Sequence, residues 1–84
     1  MDELEKLRKE IDEIDRLLVT LFEFRMEIAV KIGQYKRKNN LPVLNSVREE
    51  EVIEKALNSL KNPILERPLE DFLKNLIKIS KELQ

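Results

Sequence analysis

The stretch "LFEFRMEIAV", residues 21–30, sets Arg25 on an otherwise apolar seam that runs Leu4, Leu7, Ile11, Ile14, Leu18, Leu21, Arg25, Ile28, Ile32, Tyr35 at alternating spacings of three and four. A guanidinium held in a packing stripe is costly unless an anion meets it. Glu23 and Glu27 flank it in sequence but point away around a helix. Lys36 follows eleven residues later, close to three full turns, so both cations share a face about 16 Å apart. Two long cationic side chains at that distance can close from both ends on one small anion. Ser80 and Gln84 interrupt the apolar stripe of the last helical segment, and Arg48 and Glu49 open the middle one. Each has a plainer explanation when taken alone. Arg25 could fix register or oligomeric state, and Lys36 could be a solvated lysine suited to a helix C-terminus. Ser80 could be a tolerated small residue and Glu49 a capping partner. Together they converge on a pocket lined by cations, one carboxylate and one amide, suited to a small molecule with several negative charges.

The chemistry open to such a pocket is narrow. The chain has no His and no Cys, so the commonest general base, thiolate chemistry and Cys-based metal sites are absent. No carboxylate pair suits glycoside hydrolysis, no ligand cluster suits a metal, and no cofactor is implied. An enzyme built this way works by holding a conformation and stabilising developing charge. A pericyclic rearrangement of a dianion is one of the few reactions that need no more.

One Gly, three Pro and faces rich in Glu, Lys and Arg make an all-α composition. A first helix is predicted over Glu3–Lys38, about 54 Å long. It ends at "KNNLPV", where Asn39 and Asn40 tolerate a left-handed cap and Pro42 disfavours helix at Leu41. A second opens at "NSVREEE", read as a capping box of Ser46 and Glu49, and stops before Pro63. A third begins near Pro68, with its stripe at Leu69, Phe72, Leu73, Leu76, Ile77, Ser80, Leu83 and Gln84. Residues 1–84 form a single domain on this reading. The short connection folds the second helix back along the end of the first, which leaves much of the first helix's seam uncovered. A second copy of the chain is the simplest cover. Charges of both signs are interspersed to a net −1 and only four residues are aromatic, which argues against nucleic acid. The charged start "MDELEKLRKE" lacks the apolar run of a signal peptide and no run is long enough for a bilayer, so no membrane and a cytoplasmic setting are expected.

With these residues in order, "LRKEIDEIDRLLVTLFEFRMEIAVKIGQYK", then "LPVLNSVREEEVI", then Ser80-x-x-x-Gln84, the chain resembles the all-α (type II) chorismate mutases over nearly its whole length. The resemblance implies the Claisen rearrangement of chorismate to prephenate, toward phenylalanine and tyrosine. It also implies an intertwined helical homodimer with two equivalent active sites. On the matching positions, Arg25 and Arg8 would hold the two substrate carboxylates, Arg8 reaching in from the other subunit. Lys36 would donate to the ether oxygen and a carboxylate, and Gln84 to the ether oxygen. Glu49 would accept from the ring hydroxyl, and Arg48 and Ser80 would complete the polar lining. Geometry adds that Arg8 and Arg25 lie about 25 Å apart along one helix, so they can share one small ligand only between two chains. The family often has Asp where this chain has Asn45 near the ring-hydroxyl pocket; Asn keeps the shape and loses the charge. The same resemblance leaves open an isochorismate-directed enzyme that eliminates pyruvate, and the bare pattern leaves open a non-catalytic dimerisation module.

Overall fold

In the computed structural model, which describes residues 2–84, the first helix, α1, spans Glu3–Lys38. Asp2 caps it, its side chain accepting from the Glu5 amide at 2.8 Å. At the other end Asn40 takes the left-handed conformation, φ 55°. The Leu41 amide bonds back to the Lys36 carbonyl at 2.8 Å and the Asn40 amide to that of Arg37 at 3.4 Å. This pair of bonds is a Schellman closure, which satisfies the last helical carbonyls and reverses the chain sharply. Helix α2 spans Ser46–Ser59. Its cap is Asn45, whose side chain accepts from the Arg48 amide at 3.1 Å. The capping box expected of Ser46 and Glu49 is therefore not formed: the helix starts one residue earlier in capping register, and the Glu49 side chain is free for another use.

A 3₁₀ turn, Pro63–Leu65, follows, with Asn62 capping the Ile64 amide at 3.1 Å. It leads directly into α3, Glu66–Leu83. The third helix thus begins two residues ahead of Pro68, because the turn already supplies helical backbone and Pro68 still falls within the first turn, where its missing N–H has no intrahelical partner to lose. Helix α3, not α2, is the element that lies along α1. It packs on α1 and on α2, while α1 and α2 make no close backbone approach. The expectation that α2 folds back onto α1 is corrected accordingly. The third helix carries the strongest apolar stripe and occupies the middle.

The buried set is small: Met26, Ala29 and Gly33 on α1, and Leu73, Ile77 and Ser80 on α3. Among the described residues no large side chain is fully enclosed. The molecule measures 56 × 25 × 16 Å with a radius of gyration of 16.2 Å, against about 12 Å for a compact chain of this length. Its accessible surface is 7284 Å², whereas a compact monomer of 10.0 kDa exposes about 5,200 Å². The longest run of exposed apolar side chains lies along α1, where Leu4, Leu7, Ile11, Ile14, Leu18 and Leu21 are all about half exposed. No helix among the described residues is long and apolar enough to cross a membrane.

Candidate active site

The gap between α1 and α2, floored by α3, is a cavity of about 260 Å³, just below the usual range for small-molecule sites. Helix α1 contributes Arg25 and Lys36, the connecting segment Asn45, α2 Arg48 and Glu49, and α3 Ser80 and Gln84. Ile28, Ile32, Val52 and Ile77 give the walls between them. Every residue singled out from the sequence lines this space except Arg8, which is exposed on the uncovered half of α1.

The side chains are held in specific ways. The Arg25 guanidinium donates to Ser80 Oγ, and the Ser80 hydroxyl donates to the Leu76 carbonyl at 2.8 Å. Ser80, buried within an apolar stripe, is the polar seat for Arg25. Among the described residues no carboxylate lies within ion-pairing distance of Arg25, so its charge has no internal counter-ion. Lys36 Nζ donates to the Val43 carbonyl at 2.9 Å and to Gln84 Oε1 at 2.8 Å. The first of these bonds depends on the sharp reversal at Asn40, which brings Val43 back over the end of α1. The second decides the amide's orientation: an ammonium can only donate, so Oε1 faces Lys36 and the Gln84 amide N–H₂ is left as a donor. Gly33 lets this happen. A Cβ there would lie 2.7 Å from Gln84 Cα and 2.7 Å from its carbonyl oxygen, so the two backbones meet where no side chain fits. Arg37 adds a bond to the Gln84 carbonyl.

Arg48 is exposed and pairs outward with Glu51 at 3.4 Å, a surface contact of small energy that leaves the guanidinium free to turn inward. Asn45 has its side-chain oxygen committed to the α2 cap, a role that Asn and Asp fill equally well. One lining cation lay outside the sequence reading. Lys81 Nζ sits 3.2 Å from Glu49 Oε1. It falls beside the Ser80–Gln84 face, and its partner lies on another helix, so no local pattern marks it. The lining therefore holds four cations, Arg25, Lys36, Arg48 and Lys81, against one carboxylate, Glu49. That is a net charge of about +3, a strong attraction for a dianion in a partly enclosed space. Among the described residues no group of three or more carboxylates is placed to hold a metal ion.

The chorismate mutase type II family model matches residues 7–84, which takes in all three helices and every polar residue of the cavity. The chain belongs to the type II chorismate mutase family. It is 47% identical over 57 residues to the bifunctional chorismate mutase/prephenate dehydratase of Aquifex aeolicus, covering 68% of this chain and 16% of that protein. It is 33% identical over 81 residues to the T-protein of Haemophilus influenzae, covering 95% of this chain and 22% of that protein. The chain thus spans about a fifth of the length of these curated relatives. No solved structure gives a significant match.

Proposed function

We propose that this chain catalyses the rearrangement of chorismate to prephenate, as a homodimer with an active site in each copy's cavity. The observation that carries the proposal is the pair of donors at one end of the cavity. Lys36 and Gln84 are fixed to each other at 2.8 Å, with cationic Arg25 and Arg48 elsewhere in the same lining. The cations hold the two carboxylates of the substrate and select the folded conformer in which the reacting carbons meet, so much of the entropy of reaction is lost on binding. The ether C–O bond then breaks as the new C–C bond forms within one molecule. Negative charge grows on the ether oxygen, and donors already aimed at it stabilise the transition state more than the ground state. No proton changes hands, which suits a site without histidine. Glu49 accepts from the ring hydroxyl, and Ser80 keeps Arg25 in place.

The dimer is supported by area and by position. The excess surface of about 2,000 Å² per chain is of the size buried in obligate dimers. A second, apolar groove of about 430 Å³, lined by residues that include Leu18, Leu21, Phe22, Phe72 and Ile79, shares Arg25 with the polar cavity. A partner helix seated in that groove passes the edge of the cavity beside Arg25, and Arg8 of that helix is the cation proposed to complete the site in trans. A cytoplasmic setting is part of the proposal, on the charge-rich composition.

The test is direct. Purified protein mixed with chorismate should deplete its absorbance and yield prephenate, and Lys36→Met should slow this by about a hundredfold or more. A folded dimer that leaves chorismate untouched overturns the reading, and release of pyruvate from isochorismate by that same protein would reassign the reaction.

A further inference from the structure

Lys81 is the lining cation to which neither a sequence motif nor the proposed reaction assigns a part. Its pair with Glu49 differs from the other two ion pairs of the described chain. The Lys81 and Glu49 side chains are 33% and 27% exposed, against 58% and 53% for Arg48 and Glu51 and 62% and 40% for Lys74 and Glu70. Those two pairs join neighbours on one helix; this one joins α3 to α2 across the cavity. Glu49 Oε2 is buried with no hydrogen-bond partner, the one such side-chain atom among the described residues. A buried carboxylate oxygen without a donor is unfavourable. Lys81 supplies compensating charge through Oε1 and leaves acceptor capacity on the carboxylate unfilled.

We propose that Lys81 is a positioning residue for Glu49. It fixes the carboxylate in the cavity wall as an acceptor, and so sets the preference of the site for a ligand that presents a hydroxyl donor. Lys81 acts through Glu49 and does not itself touch the substrate. The proposal deepens the chorismate reading and rests on it. In the absence of Lys81 the Glu49 side chain loses its tie to α3 and can rotate toward solvent, so the acceptor must be ordered anew each time a ligand binds. The cost then falls on the substrate's hydroxyl contact and on no other. Arginine at the same position can reach the same oxygen and should restore it, since a guanidinium also pairs with a carboxylate.

Two substrates and a double-mutant cycle test this on the full chain. Chorismate is compared with its ring-hydroxyl methyl ether, which fits the same carboxylate contacts but has no hydroxyl proton to donate. Lys81→Met should lower kcat/KM for chorismate by about tenfold, the size of one lost charge-assisted hydrogen bond. It should lower that for the ether by less than about twofold, so discrimination between the two collapses. Lys81→Arg should recover most of the loss. In the Glu49→Gln background, Lys81→Met should cost nothing further, because the residue it positions is gone. Lys81→Gln repeats the series should the methionine variant melt at lower temperature. Equal losses on both substrates, or additive losses in the double variant, would make Lys81 a direct substrate contact or a general support for α3, and the proposal falls. Parent-like rates for Lys81→Met on chorismate overturn it with the parent reaction intact. A parent chain that turns over neither substrate overturns it together with the functional reading beneath it.

Discussion

Gln84 offers an amide N–H₂ where a carboxyl group would have nearly the same shape. The difference matters only through charge. An amide donates to a developing ether oxyanion at any pH, whereas a carboxyl donates only while protonated and, once ionised, repels the growing charge. Lys36, which sits 2.8 Å from Gln84 Oε1, favours the ionised form of any acid placed there. Gln84→Glu is therefore expected to run about a hundredfold below the parent near neutral pH, the cost of one lost donor. The gap should narrow as the solution is acidified, because the protonated fraction of the new carboxyl rises. The check is the ratio of kcat/KM, variant to parent, from mildly basic to mildly acidic pH, with circular dichroism at each point to exclude unfolding. A ratio that stays constant means Gln84 does not reach the reacting oxygen. The same reasoning explains Ser80: a buried hydroxyl is tolerated at 7% exposure because it is bonded on both sides, to Leu76 and to Arg25, and Arg25 is thereby kept on the cavity face of α1.

At the scale of elements, the site depends on how closely the end of α3 approaches α1, and Gly33 sets that distance. A methyl group there meets Gln84 backbone at 2.7 Å, and backbone cannot rotate aside as a long side chain can. Gly33→Ala pulls in two directions. Alanine favours α1 by about 1 kcal/mol over glycine, while the forced shift of α3 costs about 1–3 kcal/mol. Stability should thus change little, while kcat/KM falls about tenfold or more because Gln84 moves off Lys36. Thermal melting beside kinetics checks this; unchanged kinetics would show that α3 is placed by other contacts. The sequence made the limits of α1 readable because they are local: a seam of regular period, two asparagines and a following proline. It made the cavity residues readable because Arg25, Ser80 and Gln84 each break an apolar stripe. The packing of α2 on α3 was not readable, since a short loop permits either neighbour and only the stronger stripe on α3 decides. Asn45 does not stand out in the sequence as the α2 cap because Ser46 and Glu49 offer an equally good pattern one residue on. Lys81 left no trace because its partner is 32 positions away on another helix.

For the whole molecule, the long uncovered half of α1 and the polar cavity belong to one problem. A single copy exposes Leu4, Leu7, Ile11, Ile14, Leu18 and Leu21, and it places Arg8 about 25 Å from Arg25 along the same helix, too far to share a ligand. In the proposed dimer, two copies with α1 helices side by side would bury the seam and bring each Arg8 to the other chain's Arg25. Light scattering at micromolar concentration should therefore find a dimer, and unfolding should depend on protein concentration. The sharper consequence is complementation. Arg8→Ala and Arg25→Ala should each be nearly inactive alone, because every site in either homodimer lacks one arginine. In a mixed dimer one site joins the intact Arg25 of the first chain to the intact Arg8 of the second, and the other site has neither. Equal amounts unfolded together and refolded give mixed dimers as about half of the total, each with one good site of two, so about a quarter of parent activity should return. Subunit exchange can be verified independently with a tagged copy. If the mixture exchanges fully and stays dead, Arg8 does not act across the dimer, and the cations of a single chain must hold both carboxylates unaided.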